Sequence, residues 1–405
     1  MMTAAVGQPV PRGQAASRWL VGGLLALQPL ATDMYLPTLP SIAAAFDASV
    51  ATVQWTLSIF IATFAVVQLV AGPLSDRFGR FPIIVGGVLI YLTGSVVCAL
   101  APTIVALVLG RLLQAVGACA GIVSVRAVVR DLHEPAEGAR LLAAAGTIMG
   151  LAALIGPVLG SQLLVAFGWR APFAALSIFA LALGALLALR LKETNRYRNR
   201  DALAPRVLAA AWREVLRTPS FYAYTLANTT SYAGLFAFLA GSSFVLIRVL
   251  GMSPTAYALG LAAAVSGYIV GTLICRRTMP RLGLARSLEV GATIQATAGV
   301  VVVALALAGV AHPAAILVPQ FFFVVAHGIV QPVAQAGAVA LFPRIAGTAA
   351  ALMGFIVQTC AAAVGLIIGA TWNGTVVPMA LMICAGGIGS LVVALALVRR
   401  HGHVG

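Results

Sequence analysis

The sequence predicts an all-α polytopic membrane protein whose twelve transmembrane helices form two six-helix bundles. Three observations carry that prediction. Of 405 residues, 61% are hydrophobic and only 9% charged, with a mean hydropathy of +1.04; a soluble chain carries about 25% charged residues. Uncharged runs long enough to span hydrocarbon recur along the whole length. The basic residues fall on alternate sides of those runs.

Spans are expected at 19–36, 53–70, 81–100, 104–129, 141–167, 172–191, 221–246, 257–275, 287–310, 313–341, 347–372 and 376–398. With the N-terminus inside, every Lys and Arg lies on the cytoplasmic side except Arg170 and Arg248 outside and Arg111 within span four. This asymmetry obeys the positive-inside rule and predicts both termini in the cytoplasm. The net charge of +15 is therefore a topology signal, and no nucleic-acid partner is expected. Residues 1–18 read as a polar cytoplasmic segment ahead of an uncleaved first span, and 399–405 as a cytoplasmic tail.

The longest polar stretch, residues 192–220, divides the spans six and six, giving an N-terminal bundle over 19–191 and a C-terminal bundle over 221–398. It reads as a cytoplasmic linker with a short amphipathic helix at 207–216. The halves share a hint of repetition. GPLSDRFGR (72–80) follows span two, GTLICRRTMPRLG (271–283) follows span eight, and both open Gly-x-Leu and close on bases around a glycine. Chance similarity between two short basic loops is the competing explanation.

In span one the stretch LATDMYLP places Asp33 within the membrane layer. A carboxylate near the bilayer centre costs roughly 2.5–3.5 kcal/mol on insertion scales. Span four contributes Arg111, with Gln114 three residues on and on the same helix face. The other nine acids lie in loops or near span ends, so one stranded acid and one stranded base share a half. Either they form a static buried pair, or they serve a wet cavity. In span five, Gly146 and Gly150 are four apart, as are Gly156 and Gly160, small-residue spacing that lets helices approach closely, and Pro157 adds a kink. A cavity between the halves is expected to draw Thr32, Asp33 and Gln114 from one side and Asn228, Tyr232 and Phe236, four apart on span seven, from the other. His327 in span ten reads as a packing histidine, with a second proton site as the alternative.

The five scattered cysteines form no CxxC pair, so neither a metal nor a disulfide is expected. No Walker GK[ST], HExxH or GxSxG motif occurs, and no enzyme activity or cofactor is expected.

The loop GPLSDRFGR, with Gly72, Asp76, Arg77, Gly79 and Arg80, resembles the span two–three signature of the major facilitator superfamily, with Phe81 where a final base is usual. RLLQAVG (111–117) is similar to its span-four motif, which is associated with proton transfer, with Ala115 where glycine is common. Gly156-Pro157-x-x-Gly160 resembles the span-five signature of its antiporters. ATDMYLPTLP (31–40) and FPRIAGTAAALMGF (342–355) are similar to the drug:proton antiporter group with twelve spans, in its bicyclomycin and chloramphenicol resistance (Bcr/CflA) branch. Some members carry a second acid earlier in span one; here GGLLALQ (22–28) has none.

The resemblance implies the major facilitator fold and a monomer, in the inner membrane of a bacterium, that exports small amphipathic drugs by alternating access against proton entry. Asp33 and Arg111 would couple to protons, and Arg80 would meet Asp131 as a latch. A same-fold importer or facilitator, or a non-transporting membrane receptor, stands as the alternative.

Overall fold

The computed structural model describes residues 18–195 and 198–401, and every regular element among them is helical. Residues 1–17, Arg196, Tyr197 and the tail beyond His401 lie outside the described residues. In chain order the elements are α1 (Arg18–Asp33), a 3-10 turn (Leu36–Thr38), α2 (Leu39–Ala45), α3 (Val50–Phe78), α4 (Arg80–Leu100), α5 (Ile104–Leu132), α6 (Pro135–Phe167) and α7 (Ala171–Arg190). Then follow α8 (Pro205–Leu216), α9 (Pro219–Ser243), a π turn (Phe244–Val249), α10 (Pro254–Leu307), α11 (Ala314–Ala340), α12 (Ala346–Ala370), α13 (Val377–Val393), a second π turn (Ala394–Val398) and α14 (Arg399–His401).

Ten of these helices are long and apolar enough to cross a membrane. α10 counts twice, because its 54 residues break at Gly283, where φ is 73°. α1 adds the twelfth crossing, although its described part is only 16 residues long. The expected first span, 19–36, is corrected here: the helix stops at Asp33, ahead of Pro37 and Pro40, which lack the N–H that would continue the ladder. Other helices overrun their predicted ends, α3 to Phe78 and α6 back to Pro135, since a helix need not stop where hydrocarbon does. Side-chain caps set several starts: Ser49 on α3, Thr103 on α5 and Ser253 on α10 each accept from a backbone N–H in the first turn.

Gly79, with φ 108°, turns the chain between α3 and α4 as Gly283 turns it inside α10. The two basic loops with similar sequences therefore pivot on glycines in the same left-handed region, which side chains disfavour.

In the first half α1 packs on α5, α6 and α7, while α5 holds α3 and α4. In the second, α9 packs on α11, α12 and α13, while α10 holds α11 and α13. The halves meet along two seams, α3 on α12 and α6 on α10. Among the described residues three hydrogen bonds cross between halves: Gln54 Nε2 to the Ala240 carbonyl (2.6 Å), Arg248 to the Pro40 carbonyl (3.0 Å) and Gln162 to Thr255 (3.4 Å). All three lie toward the face opposite the linker, where α3 and α10 begin and α6 and α9 end.

Span five packs on α1 through half of its glycines. A Cβ on Gly160 would collide with the Met34 carbonyl, and one on Gly156 would lie 3.3 Å from Asp33 Cβ. Gly146 and Gly150 are corrected: a Cβ at either meets nothing within 4 Å, so they let no helix approach. Gly160→Val should therefore destabilise the protein by about 1–3 kcal/mol through overpacking. Gly146→Ala should be neutral or stabilising by up to about 1 kcal/mol from helix propensity. Unfolding of the purified protein in detergent, followed by tryptophan fluorescence, checks both.

Candidate substrate cavity and signature loop

A cavity of about 290 Å³ lies between the halves. Gln28, Thr32 and Asp33 of α1, Leu57 and Ile61 of α3, and Met149, Gly150, Ala153 and Pro157 of α6 form one wall. Tyr232, Leu235 and Phe236 of α9, Leu261, Val265 and Tyr268 of α10, and Val324, His327 and Gln331 of α11 form the other. A largely apolar lining with a few placed polar groups suits a small amphipathic solute.

Asp33 reaches this wall because α1 ends there and because Gly156 and Gly160 let α6 pass close behind it. Its carboxylate accepts a hydrogen bond from Thr32 Oγ1 at 3.0 Å. Among the described residues it has no ion-pair partner.

Arg111 does not pair with it. The guanidinium is fully buried, and its Nη1 donates to the Ala31 carbonyl and to Gln114 Oε1, each at 2.8 Å, while Nε donates to the Thr56 carbonyl at 3.3 Å. Its Cζ lies 4.6 Å from the ring centre of Tyr35 and 4.4 Å from that of Phe60, a cation–π arrangement that helps to hold a buried charge. Tyr35 is in turn hydrogen-bonded to Thr56. Arg111 therefore sits at the carbonyl end of α1, where the helix leaves acceptors unsatisfied and its dipole favours a cation. The static-pair reading of Asp33 and Arg111 fails in this arrangement, and the base holds the helix end that positions the acid.

Two further expectations need correction. Gln114 is behind the wall, bridging Arg111 to Ser95 Oγ (2.8 Å), and does not line the cavity. Asn228 is buried in α9, two turns before Phe236, and does not line it either. A shared helix face was the only signal for Asn228, and the cavity ends one turn short of it. Thr32, Asp33, Tyr232 and Phe236 do line it. So does His327, which sequence reasoning assigned to packing. It is 2% exposed, hydrogen-bonded through Nδ1 to Ser231 Oγ at 2.7 Å, and flanked by the rings of Tyr232 and Tyr268.

A family model described as the Major Facilitator Superfamily matches residues 21–366. The chain belongs to that superfamily. It is 31% identical to an uncharacterized MFS-type transporter, YdgK, of Bacillus subtilis (strain 168), over 95% of this chain and 96% of the relative. It is 29% identical to a bicyclomycin resistance protein homolog of Haemophilus influenzae, over 89% and 90%, and 28% identical to a chloramphenicol resistance protein of Pseudomonas aeruginosa, over 84% and 80%. Among solved structures, a D-xylose-proton symporter superposes with TM-score 0.73 at 16% identity, covering 94% of this chain and 96% of that one. An inward-facing bacterial homolog of the lysosomal transporter Spinster gives 0.69 at 17%, covering 95% and 94%. These two share the fold.

The superfamily's signature loop is compact here. Arg80 begins α4 almost fully buried; its Nε meets Asp131 at 2.9 Å, and its Nη1 meets Asp76 at 2.5 Å and Ser75 Oγ at 2.9 Å. Gly79 supplies the turn, and Gly72 leaves α3 loosely set against Val123 of α5. Arg77 stands apart, exposed and stacked on Phe78. Sequence reasoning missed Glu193 of the linker. Its carboxylate accepts from the backbone N–H groups of Arg80 (3.0 Å) and Phe81 (3.3 Å) and so caps α4, while Asn195 donates to the Asp76 carbonyl at 2.9 Å. An acid one residue into the linker gave no spacing cue, because the loop it caps is more than 110 residues earlier in sequence.

Arg111→Lys keeps the charge but loses the planar fork that serves two helices at once. It should lower stability by about 1–3 kcal/mol, the cost of leaving buried acceptors unpaired. Denaturant unfolding of purified wild type and variant measures this.

Proposed function

We propose that this protein is a proton-coupled antiporter that exports small amphipathic compounds, with Asp33 as the coupling acid. The observation that carries the reading is the placement of Asp33 on the wall of the cavity between the halves, without a cationic partner among the described residues. The printed names of the Haemophilus and Pseudomonas relatives, resistance proteins toward bicyclomycin and chloramphenicol, support the substrate class.

On this reading the membrane is the inner membrane of a bacterium, the linker face is cytoplasmic, and the protein works as a monomer. The three bonds between halves then close the outer side. Protonation of Asp33 from outside releases substrate, and proton loss to the inside lets the next molecule bind. Coupling of this kind requires substrate and proton to bind differently to the two arrangements of the halves. Arg111 holds the end of α1 through that cycle. The Arg80, Asp76 and Asp131 cluster acts as the conformational latch, with Gly72, Arg77 and Gly79 shaping its loop.

One proton moving through about 150 mV yields roughly 3.5 kcal/mol, at about 2.3 kcal/mol per charge per 100 mV. That sustains a gradient of a few hundred-fold for a neutral solute, since about 1.4 kcal/mol is one decade. One carboxylate implies one proton per cycle, so a neutral substrate draws on the full proton gradient, a singly cationic one on its pH component alone, and a dication is opposed by the potential.

The test uses purified protein in liposomes, with internal pH recorded as chloramphenicol or a lipophilic cation is added. Wild type should move protons in response to substrate, and Asp33→Asn, a neutral mimic of the protonated acid, should lower that flux at least tenfold. Normal flux in Asp33→Asn would remove Asp33 from the coupling step. Counterflow without a pH gradient would identify a facilitator instead.

A further inference from the structure

The wall that faces Asp33 carries an ordered polar network. Gln295 Nε2 donates to Ser231 Oγ at 2.6 Å, and Ser231 Oγ meets His327 Nδ1 at 2.7 Å. Ser231 accepts from Gln295 and has one proton of its own to give. Its neighbours Thr229 and Thr230 give theirs to carbonyls of the preceding turn, whereas the Ser231 hydroxyl meets the imidazole. A ring that accepts at Nδ1 carries its proton on Nε2.

One turn along α11, and on the same face, lies Gln331. The Tyr268 hydroxyl donates to Gln331 Oε1 at 2.6 Å, which engages one lone pair of the amide oxygen and leaves its NH₂ group to donate. His327 and Gln331 both line the cavity. With Ser231 donating to Nδ1 and Tyr268 donating to Oε1, the N–H groups are what the two side chains turn first toward a ligand. Tyr232 and Tyr268 flank the imidazole and hold its plane. Asp33 on the opposite wall is the reverse: a carboxylate that only accepts when ionised.

We propose that His327 and Gln331 form a donor-presenting subsite that binds a neutral acceptor group of the substrate, such as an amide carbonyl or a nitro group. The subsite sets selectivity for neutral acceptor-bearing solutes over lipophilic cations. It rests on the reading of this cavity as the drug site and names the chemistry of its second wall. A lipophilic cation needs the carboxylate and the aromatic rings; a neutral solute is oriented by the two donors.

The experiment compares two radiolabelled probes on purified protein in detergent by equilibrium dialysis. Chloramphenicol is neutral and carries amide and nitro acceptors, whereas tetraphenylphosphonium is a cation without hydrogen-bonding atoms. His327→Phe keeps a ring and removes the donor, Gln331→Leu removes the other, and His327→Gln retains one. The expected result is a chloramphenicol affinity about tenfold weaker in His327→Phe and in Gln331→Leu, relative to the tetraphenylphosphonium affinity of the same variant. His327→Gln should keep the ratio within about threefold of wild type. An unchanged ratio in both donor-removing variants overturns the subsite, whether the two affinities fall together or neither moves. If His327→Phe does not fold, Gln331→Leu and His327→Gln decide the matter. Wild type that binds neither probe overturns the drug-site reading itself, and the subsite with it; wild type that binds both with an unchanged variant ratio overturns the subsite alone.

Discussion

The first half of this molecule is organised around a guanidinium that has no carboxylate partner among the described residues. Arg111 is fully buried, and a buried charge without partners is expensive. Here it is held by two backbone carbonyls on different helices, a glutamine side chain and two aromatic rings. The carbonyl of Ala31 belongs to the last turn of α1, which has no further N–H of its own helix to accept from. The arginine thus makes a helix end tolerable inside the membrane, and that end is where Asp33 meets the cavity. Lysine has no planar fork to reach α1 and α3 together.

This arrangement separates two tasks that a paired acid and base would confound. A carboxylate locked to Arg111 would be held in its charged form and shielded from solute. With the arginine committed to backbone, Asp33 has Thr32 as its hydrogen-bond donor and the cavity in front of it. Span five serves the same end from behind. Its Gly156 and Gly160 allow close passage past α1, while Gly150 and Pro157 border the cavity.

The seams between halves are built for close contact with little ionic commitment. On α12 a Cβ added at Gly365 would crowd Ser58, and one at Gly369 would crowd Ala51 and Gln54 of α3. Small residues let backbones touch without interlocking side chains, and the polar bonds between halves gather near one face. The ion pairs of the signature loop lie within the first half, where Glu193 ties the start of the linker to the first turn of α4.

The sequence by itself determined the class, the number of crossings and the two glycine-pivoted loops, because hydropathy and turn chemistry are local properties. It also singled out Asp33 and Arg111, since a charged residue in an apolar run stands out in one dimension. What it could not decide was which groups meet. Gln114 shares a helix face with Arg111 and was assigned to the cavity, yet it turns inward to Ser95. Gly146 and Gly150 have the spacing of a packing face, but a Cβ at either would meet nothing within 4 Å. Glu193, His327 and Gln331 gained their roles from neighbours distant in sequence: the first turn of α4, and Ser231 and Tyr268. Periodicity reports which residues share a face; only the packing of helices far apart in the chain fixes what that face looks upon.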